Sequence, residues 1–223
     1  MRTAEISAID LFNAGRWRVE IFTDDNSHNV ASKWPIVRIA EIAEESNTAI
    51  EPQEYADDEF IYVGLENVES VTGDAVDLRK RGKGEIKSRS KVFEKHCVLY
   101  GRLRPNLRKV FFAEGEFSVG LCSTEFIVLK PVRDKVLPSV LRAILASEAI
   151  AKQLARLQIG AALPRVSRTD FFRSMIPLPP MNVQEKLAER LQILKKERLH
   201  LKDRLWRNPD EMDQAVADLV LSQ

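Results

Sequence analysis

The stretch Leu99-Tyr100-Gly101-Arg102-Leu103-Arg104-Pro105-Asn106-Leu107-Arg108-Lys109 changes character twice in eleven residues. Leu99-Tyr100 closes an apolar run, Cys97 to Tyr100, that reads as a buried strand, and Val110-Phe111-Phe112 resumes one. Gly101 and Pro105-Asn106 between them are chain-turning residues. The pattern predicts strand, turn and strand, with Arg102, Arg104, Arg108 and Lys109 carried at an exposed edge above a hydrophobic support. Guanidinium groups held at such a place suit phosphates and guanine edges, because each offers paired donors in a fixed plane. The alternative is a set of surface arginines paired with nearby acids, which is a common arrangement.

The surrounding window favours the first reading. From Arg79 to Lys109 there are twelve Lys or Arg and two acids, a net +10 in a chain whose formal net charge is +1. The rest of the chain is therefore acidic, at −9, and the near-neutral total hides a strongly basic middle. Concentrated Lys/Arg is the electrostatic footprint of a polyanionic partner, nucleic acid above all. Arg79–Lys91 has no interleaved aromatic residue, so Lys87, Arg89 and Lys91 are expected to meet backbone phosphate rather than bases.

A chain of 223 residues that is 44% hydrophobic can bury one sizeable core. No apolar run approaches the roughly 18 residues of a membrane span, and no secretory signal stands at the N-terminus. Cys97 and Cys122 fall in predicted strands, as reduced core residues of a cytoplasmic protein would. Two Cys and three scattered His (His28, His96, His200) have no ligand spacing that a metal uses, so neither metal nor cofactor is expected.

In chain order, residues 1–33 are weakly patterned, with one short helix suggested by Ile6, Ile9, Leu11 and Phe12. A compact domain starts at Trp34. Ile39–Ala43 fits either a helical turn or a continuing strand. Phe60–Leu65 is a strand, Val68–Leu78 a hairpin around Thr72-Gly73-Asp74, and Phe117–Val119, Cys122 and Thr124–Leu129 supply further strands. Leu137-Pro138 opens a helix whose apolar face runs through Leu141, Ile144, Leu145, Ala149, Leu154 and Leu157 to a stop at Gly160. Ser167 is placed to cap a short helix over Thr169–Ser174, and Met175–Pro180 is too proline-rich to be helical. Asn182, with Glu185 three residues on, is expected to cap a helix from Val183 to about Trp206, stopped by Arg207-Asn208-Pro209. Leu187, Leu191, Leu194, Leu201 and Leu205 follow heptad spacing broken at Arg198, a narrow seam suited to a coiled coil.

Several pieces, in order, resemble one half of the specificity subunit of type I restriction–modification systems. They are Trp34 with Ile39, Phe60–Val68, Val98–Asn106, Gly120–Phe126, Gly160 through Pro164-Arg165-Val166, and Ile176–Pro180 leading into Gln184. The resemblance implies a DNA target-recognition domain and a helix that pairs into an antiparallel coiled coil. That coiled coil spaces two such domains and docks methyltransferase subunits. The partners so implied are double-stranded DNA, an adenine methyltransferase subunit and a restriction/translocase subunit. A full subunit has two recognition domains and two long helices, whereas one of each is present here. His96-Cys97 stand where Gly-Asp is frequent, and Val183 replaces the usual acid before Gln184.

The expected fold is α/β of the α+β kind: an N-terminal extension over 1–33, a mixed-sheet recognition domain over 34–180, a coiled-coil dimerisation helix over 181–206, and a tail over 207–223. The candidate DNA-contacting residues are Lys87, Arg89, Lys91, Tyr100, Arg102, Arg104, Asn106, Arg108, Lys109, Arg165 and Arg168. Arg104 and Asn106 are the preferred base readers, since Arg pairs with guanine and Asn with adenine in the major groove. Asp77 with Glu85-Ile86-Lys87 gives the order used by metal-dependent nucleases, but on a Gly- and Lys-rich loop rather than a rigid strand. No Gly-rich loop follows a strand, as a methyltransferase cofactor would require. The chain is therefore expected to be a non-catalytic recognition component, and the alternatives are a metal-dependent nuclease acting on DNA and a coiled-coil adaptor without DNA binding.

Overall fold

Residues 32–115 and 119–216 are described by the computed structural model of this chain. The helix expected near Ile6–Phe12 and the strand start expected at Phe117 lie outside those residues. In chain order the elements are strand β1 (Ile36–Arg38), one-turn helix α1 (Ile39–Ile42), β2 (Ala43–Glu45), β3 (Ala49–Ile50), β4 (Glu59–Val63), β5 (Lys80–Gly82) and β6 (Ser90–Glu94). Next come β7 (Val98–Gly101), β8 (Val110–Phe112), β9 (Val119–Ser123), β10 (Phe126–Pro131) and helices α2 (Pro138–Leu145) and α3 (Glu148–Arg156). Strands β11 (Gln158–Ile159) and β12 (Arg165–Val166), helix α4 (Arg168–Arg173), strand β13 (Met175–Pro177) and helix α5 (Met181–Val216) complete the chain. The chain divides between Pro179 and Pro180 into two compact units.

Two sheets build the first unit. One is antiparallel in the order β2-β10-β7-β8, and the other runs β3-β6-β9-β4-β5, with β4 and β9 its parallel pair. Side chains alternate across a strand, and in β7 and β10 both alternating sets are buried. Val98, Tyr100, Ile127 and Leu129 join Leu141, Leu145, Leu154 and Phe171 from the helices. Leu99, Phe126 and Val128 face the other way and join Val63, Phe93 and Cys122 from the second sheet. The central sheet is thus covered by helices on one face and by a sheet on the other. That is why Val98–Tyr100 reads as an unbroken apolar run rather than an alternation. Cys97 and Cys122 are both free and buried.

Four expectations about helices are corrected. The single helix from Pro138 towards Gly160 is two, because Ser147 adopts extended backbone (φ −66°, ψ 150°) at the start of α3. Its hydroxyl donates to the Ile144 carbonyl at 2.7 Å, the local competition by which serine interrupts helices. Gly160 does not stop a helix: α3 ends at Arg156, and Gly160, with φ 105°, opens the loop joining β11 to β12. Asn182 does not cap α5, since the helix starts at Met181 and the Val183 and Gln184 amides donate to the Pro180 carbonyl at 2.9 and 3.0 Å. Nor does Pro209 stop that helix, which carries it inside and runs on to Val216. A proline there removes one backbone donor, leaving the Leu205 carbonyl without its helical partner, and an Arg207–Asp203 ion pair at 2.9 Å spans the turn before it. Ile39–Ala43 contains both alternatives, a helical turn that passes directly into β2. Ser167 does cap α4, accepting from the Asp170 amide at 3.1 Å.

Candidate nucleic-acid interface

Strand β7 ends at Gly101, where a Cβ would come within 3.0 Å of the Lys109 carbonyl and of Leu65. The glycine lets the two ends of the basic turn close on one another, the Gly101 amide donating to that same carbonyl at 2.9 Å. Between them Pro105–Leu107 forms a single 3-10 turn, and Arg104 (φ 49°) and Arg108 (φ 52°) bracket it in left-handed backbone. Non-glycine residues there cost about 1–3 kcal/mol each and persist where the surroundings fix them. Pro105 is buried beneath the turn, and α3 lies against it.

The second loop supplies the rest of the fixing. The Arg104 amide donates to the Pro164 carbonyl at 2.8 Å, the Val166 amide to the Arg102 carbonyl at 3.1 Å, and the Arg102 amide to the Glu125 carbonyl at 3.0 Å. Leu103 and Arg165 form an antiparallel bridge. The segments around Arg102–Lys109 and Gly160–Val166, far apart in sequence, are therefore zipped along their backbones.

The candidate side chains divide into four groups. Arg104, Asn106 and Lys87 are exposed and make no side-chain hydrogen bond or ion pair among the described residues. Arg89 is exposed and reaches only the Ala49 carbonyl, at 3.5 Å. Arg102 and Arg108 are half-buried, and Arg102 Nε is buried without a hydrogen-bond partner among the described residues.

Lys109, Arg165 and Arg168 are committed to protein acceptors. Lys109 Nζ donates to the Leu65 carbonyl at 2.6 Å. Arg165 Nε lies 2.9 Å from both Glu125 carboxylate oxygens and its Nη2 2.6 Å from one of them. Arg168 Nε and Nη2 both lie 2.6 Å from Glu45 Oε2. Glu125 is held below the usual carboxylate range, first by the hydrogen bonds from Arg165 and then by the positive charges of Arg165, Arg102 and Lys91.

Two candidates are corrected outright. Lys91 is buried in β6, where the two-residue alternation gives it the same inward face as Phe93. Its ammonium donates to the Phe126 carbonyl at 2.9 Å and lies 3.4 Å from Glu45, so it meets no phosphate. Tyr100 is buried on the helix-covered face, its ring 4.5 Å from that of Phe171, and its hydroxyl has no hydrogen-bond partner among the described residues. Burial pushes its phenol well above the ordinary range.

Glu125 and Glu45 are the organising residues that charge reasoning passed over. Each is an ordinary acid in sequence, and their partners stand 40 and 123 residues away. The nuclease-like carboxylates are also engaged, since Arg81 lies 3.6 Å from Asp77 and 3.3 Å from Glu85. Glu85 also accepts from the Gly82 amide at 3.0 Å and from Arg79 at 3.2 Å. The Gly82 bond is the main reason its carboxyl lies below the usual range. Among the described residues no group of three or more His, Cys, Asp or Glu is arranged to hold a metal ion, and no helix is long and apolar enough to cross a membrane.

In the second unit the seam residues Leu187, Leu191, Leu194, Leu201 and Leu205 all lie on α5. Leu194 is 41% exposed, Leu201 55% and Leu205 70%.

A family model for the type I restriction modification DNA specificity domain matches residues 31–205, from the start of the described chain through the leucines of α5. The chain belongs to that family. The specificity subunit of the EcoDI type I restriction enzyme from Escherichia coli is 21% identical over 183 residues, which cover 82% of this chain and 39% of that protein. The HsdS subunit from Thermoanaerobacter tengcongensis shares the fold with a TM-score of 0.64 and 26% identity, over 83% of this chain and 49% of the other. A chain solved in work on complex assembly and conformational transition of the type I R-M system gives a TM-score of 0.60 and 26% identity, over 86% and 48%. This specificity-domain chain thus spans about half the length of the solved relatives it matches. The mixed sheets with flanking helices, followed by a long helix, are the fold of those subunits.

Proposed function

We propose that this chain is the non-catalytic DNA-recognition component of a type I restriction–modification system. In that reading it directs an adenine methyltransferase subunit and a restriction subunit to a split duplex target in the cytoplasm. The observation that carries the proposal is the pair Arg104 and Asn106. They are the residue types that read guanine and adenine in the major groove, and both side chains stand exposed and unengaged on a turn whose backbone is fixed at both ends. Arg102, Arg108, Lys87 and Arg89 would neutralise phosphates around them, setting register without reading sequence. Arg165, Arg168 and Lys109 act less directly, by holding the loops that present the readers.

The exposed leucine stripe of α5 supports self-association. Leu194, Leu201 and Leu205 repeat at coiled-coil spacing and stand in water in the single chain. A two-fold pair of such helices would carry two identical recognition domains and read one half-site twice.

Selection of bound sites from random duplexes, by the full chain together with its modification subunit, tests the proposal. The expected result is a short enriched half-site repeated on opposite strands across an unspecified gap. Failure to enrich any sequence, or binding to no duplex, would overturn it.

A further inference from the structure

The hairpin loop between β11 and β12 is unusual for its surroundings. Ile159-Gly160-Ala161-Ala162-Leu163 carries no charge, although Arg104 and Arg165 bond to its C-terminal end. Ile159 is 51% exposed and Leu163 49%, and both alanines are exposed as well. The loop is nevertheless built to keep one shape. Gly160 sits at φ 105°, and a Cβ there would lie 3.1 Å from the Leu163 carbonyl. Arg165 fixes the other end, its Nη1 donating to that carbonyl at 3.1 Å while its Nε and Nη2 grip Glu125. The neighbouring Pro164 carbonyl accepts from the Arg104 amide at 2.8 Å. An apolar tip is thus pinned one residue from the backbone of the foremost base-reading candidate.

We propose that this loop is a second base-reading element, in which Leu163 packs against the 5-methyl group of a thymine beside the bases met by Arg104 and Asn106. The inference rests on the DNA-recognition reading above and deepens it. A thymine methyl is the apolar feature of the major groove, and an aliphatic side chain is its natural contact. The small Ala161 and Ala162 allow close approach to the groove, and the absence of charge on the tip leaves the phosphates to the cations around it. Water disfavours Ile159 and Leu163 where they stand, whereas a groove wall would cover them. The shared hydrogen bond couples the two loops, so the methyl contact and the Arg104 contact fall on neighbouring base pairs.

The test follows site selection. Each thymine of the selected duplex is replaced singly by deoxyuridine, which removes the 5-methyl group alone, and binding is measured with the full chain and its modification subunit. At one thymine position the wild type should lose about fourfold in affinity, the worth of one buried methyl. Leu163→Ala should flatten that single step while keeping its melting temperature, since Leu163 is half exposed, and Leu163→Met should retain the step. Equal deoxyuridine effects in wild type and Leu163→Ala would overturn the inference and leave the recognition reading standing. Loss of the modification subunit from Leu163→Ala, with the thymine step intact, would overturn it in favour of a protein contact. A wild type that selects no sequence would remove the recognition reading itself, and this inference with it.

Discussion

Arg165 holds Glu125 from across 40 residues of sequence, with Nε 2.9 Å from both carboxylate oxygens and Nη2 2.6 Å from one. That grip closes the loop after β11 onto the turn between β9 and β10, and through Leu103 it locks the basic turn to both. The bond keeps Glu125 ionised below the usual carboxylate range. A carboxyl depressed in the folded state stabilises the protein above its unfolded value and loses that contribution as pH falls through the lowered folded value.

Glu125→Gln is therefore expected to cost about 1–2 kcal/mol at neutral pH, the lower part of the range for charge-assisted bonds because the pair is partly exposed. The gap to wild type should close as pH drops below the ordinary glutamate value of 4.5. Urea unfolding midpoints of both proteins, from neutral pH to about pH 3, measure it. A gap of constant size into acid would show that the pair is not the source.

Arg104→Ala and Lys87→Ala should fail differently. Losing a bidentate guanine contact flattens preference at one base position by about 1–3 kcal/mol. Losing a phosphate contact weakens all sequences alike and lowers the log–log salt slope by about 0.9. Titrations of matched and mismatched duplexes at several salt concentrations separate the two. If Lys87→Ala altered the preferred base, the division of labour on this face would be wrong.

Tyr100→Phe tests the burial of the ring. The hydroxyl is buried without a partner among the described residues, and such a group pays its desolvation for no return, so its removal should leave stability unchanged or raise it by up to about 1 kcal/mol. DNA affinity should not move. A weakened complex with unchanged melting would restore Tyr100 to the interface.

The uneven legibility of this fold in its sequence has a physical basis. Val98–Tyr100 announced itself as a strand because both of its faces are covered, which leaves an apolar run with no polar interruption. Local chemistry was equally readable at Ser167, whose cap needs only a donor three residues away. What failed was anything set by a partner distant in sequence. Lys91 belongs to a basic run, yet strand alternation turns it inward to Glu45 and the Phe126 carbonyl. Arg165 and Arg168 look like free cations until Glu125 and Glu45 are brought beside them. Helix ends depart from the local pattern in both directions: Ser147 divides a helix that its apolar face would continue, whereas Pro209 sits inside α5 without ending it.

The leucine stripe of α5 carries the last prediction. The helix has 36 residues, about 54 Å at 1.5 Å per residue. Leu194, Leu201 and Leu205 stand exposed along it, with Ile193, Leu199 and Trp206 beside them. Covering a leucine fully is worth about 1.5–3 kcal/mol. Several in each helix of a pair would outweigh part of the association entropy, which lies between about 4 and 15 kcal/mol. A two-fold axis perpendicular to the helices would run them antiparallel, so that each leucine would meet the partner's stripe and the recognition domains would fall at opposite ends. Leu194→Lys with Leu201→Lys puts two like charges from each chain into that seam and changes no residue of the first unit. The double variant should be a monomer by light scattering at tens of micromolar, where the wild type should be a dimer. It should keep weak binding to a single half-site and lose its preference for the split duplex. A wild-type monomer under those conditions, or a double variant that still dimerises, would remove α5 as the dimer contact.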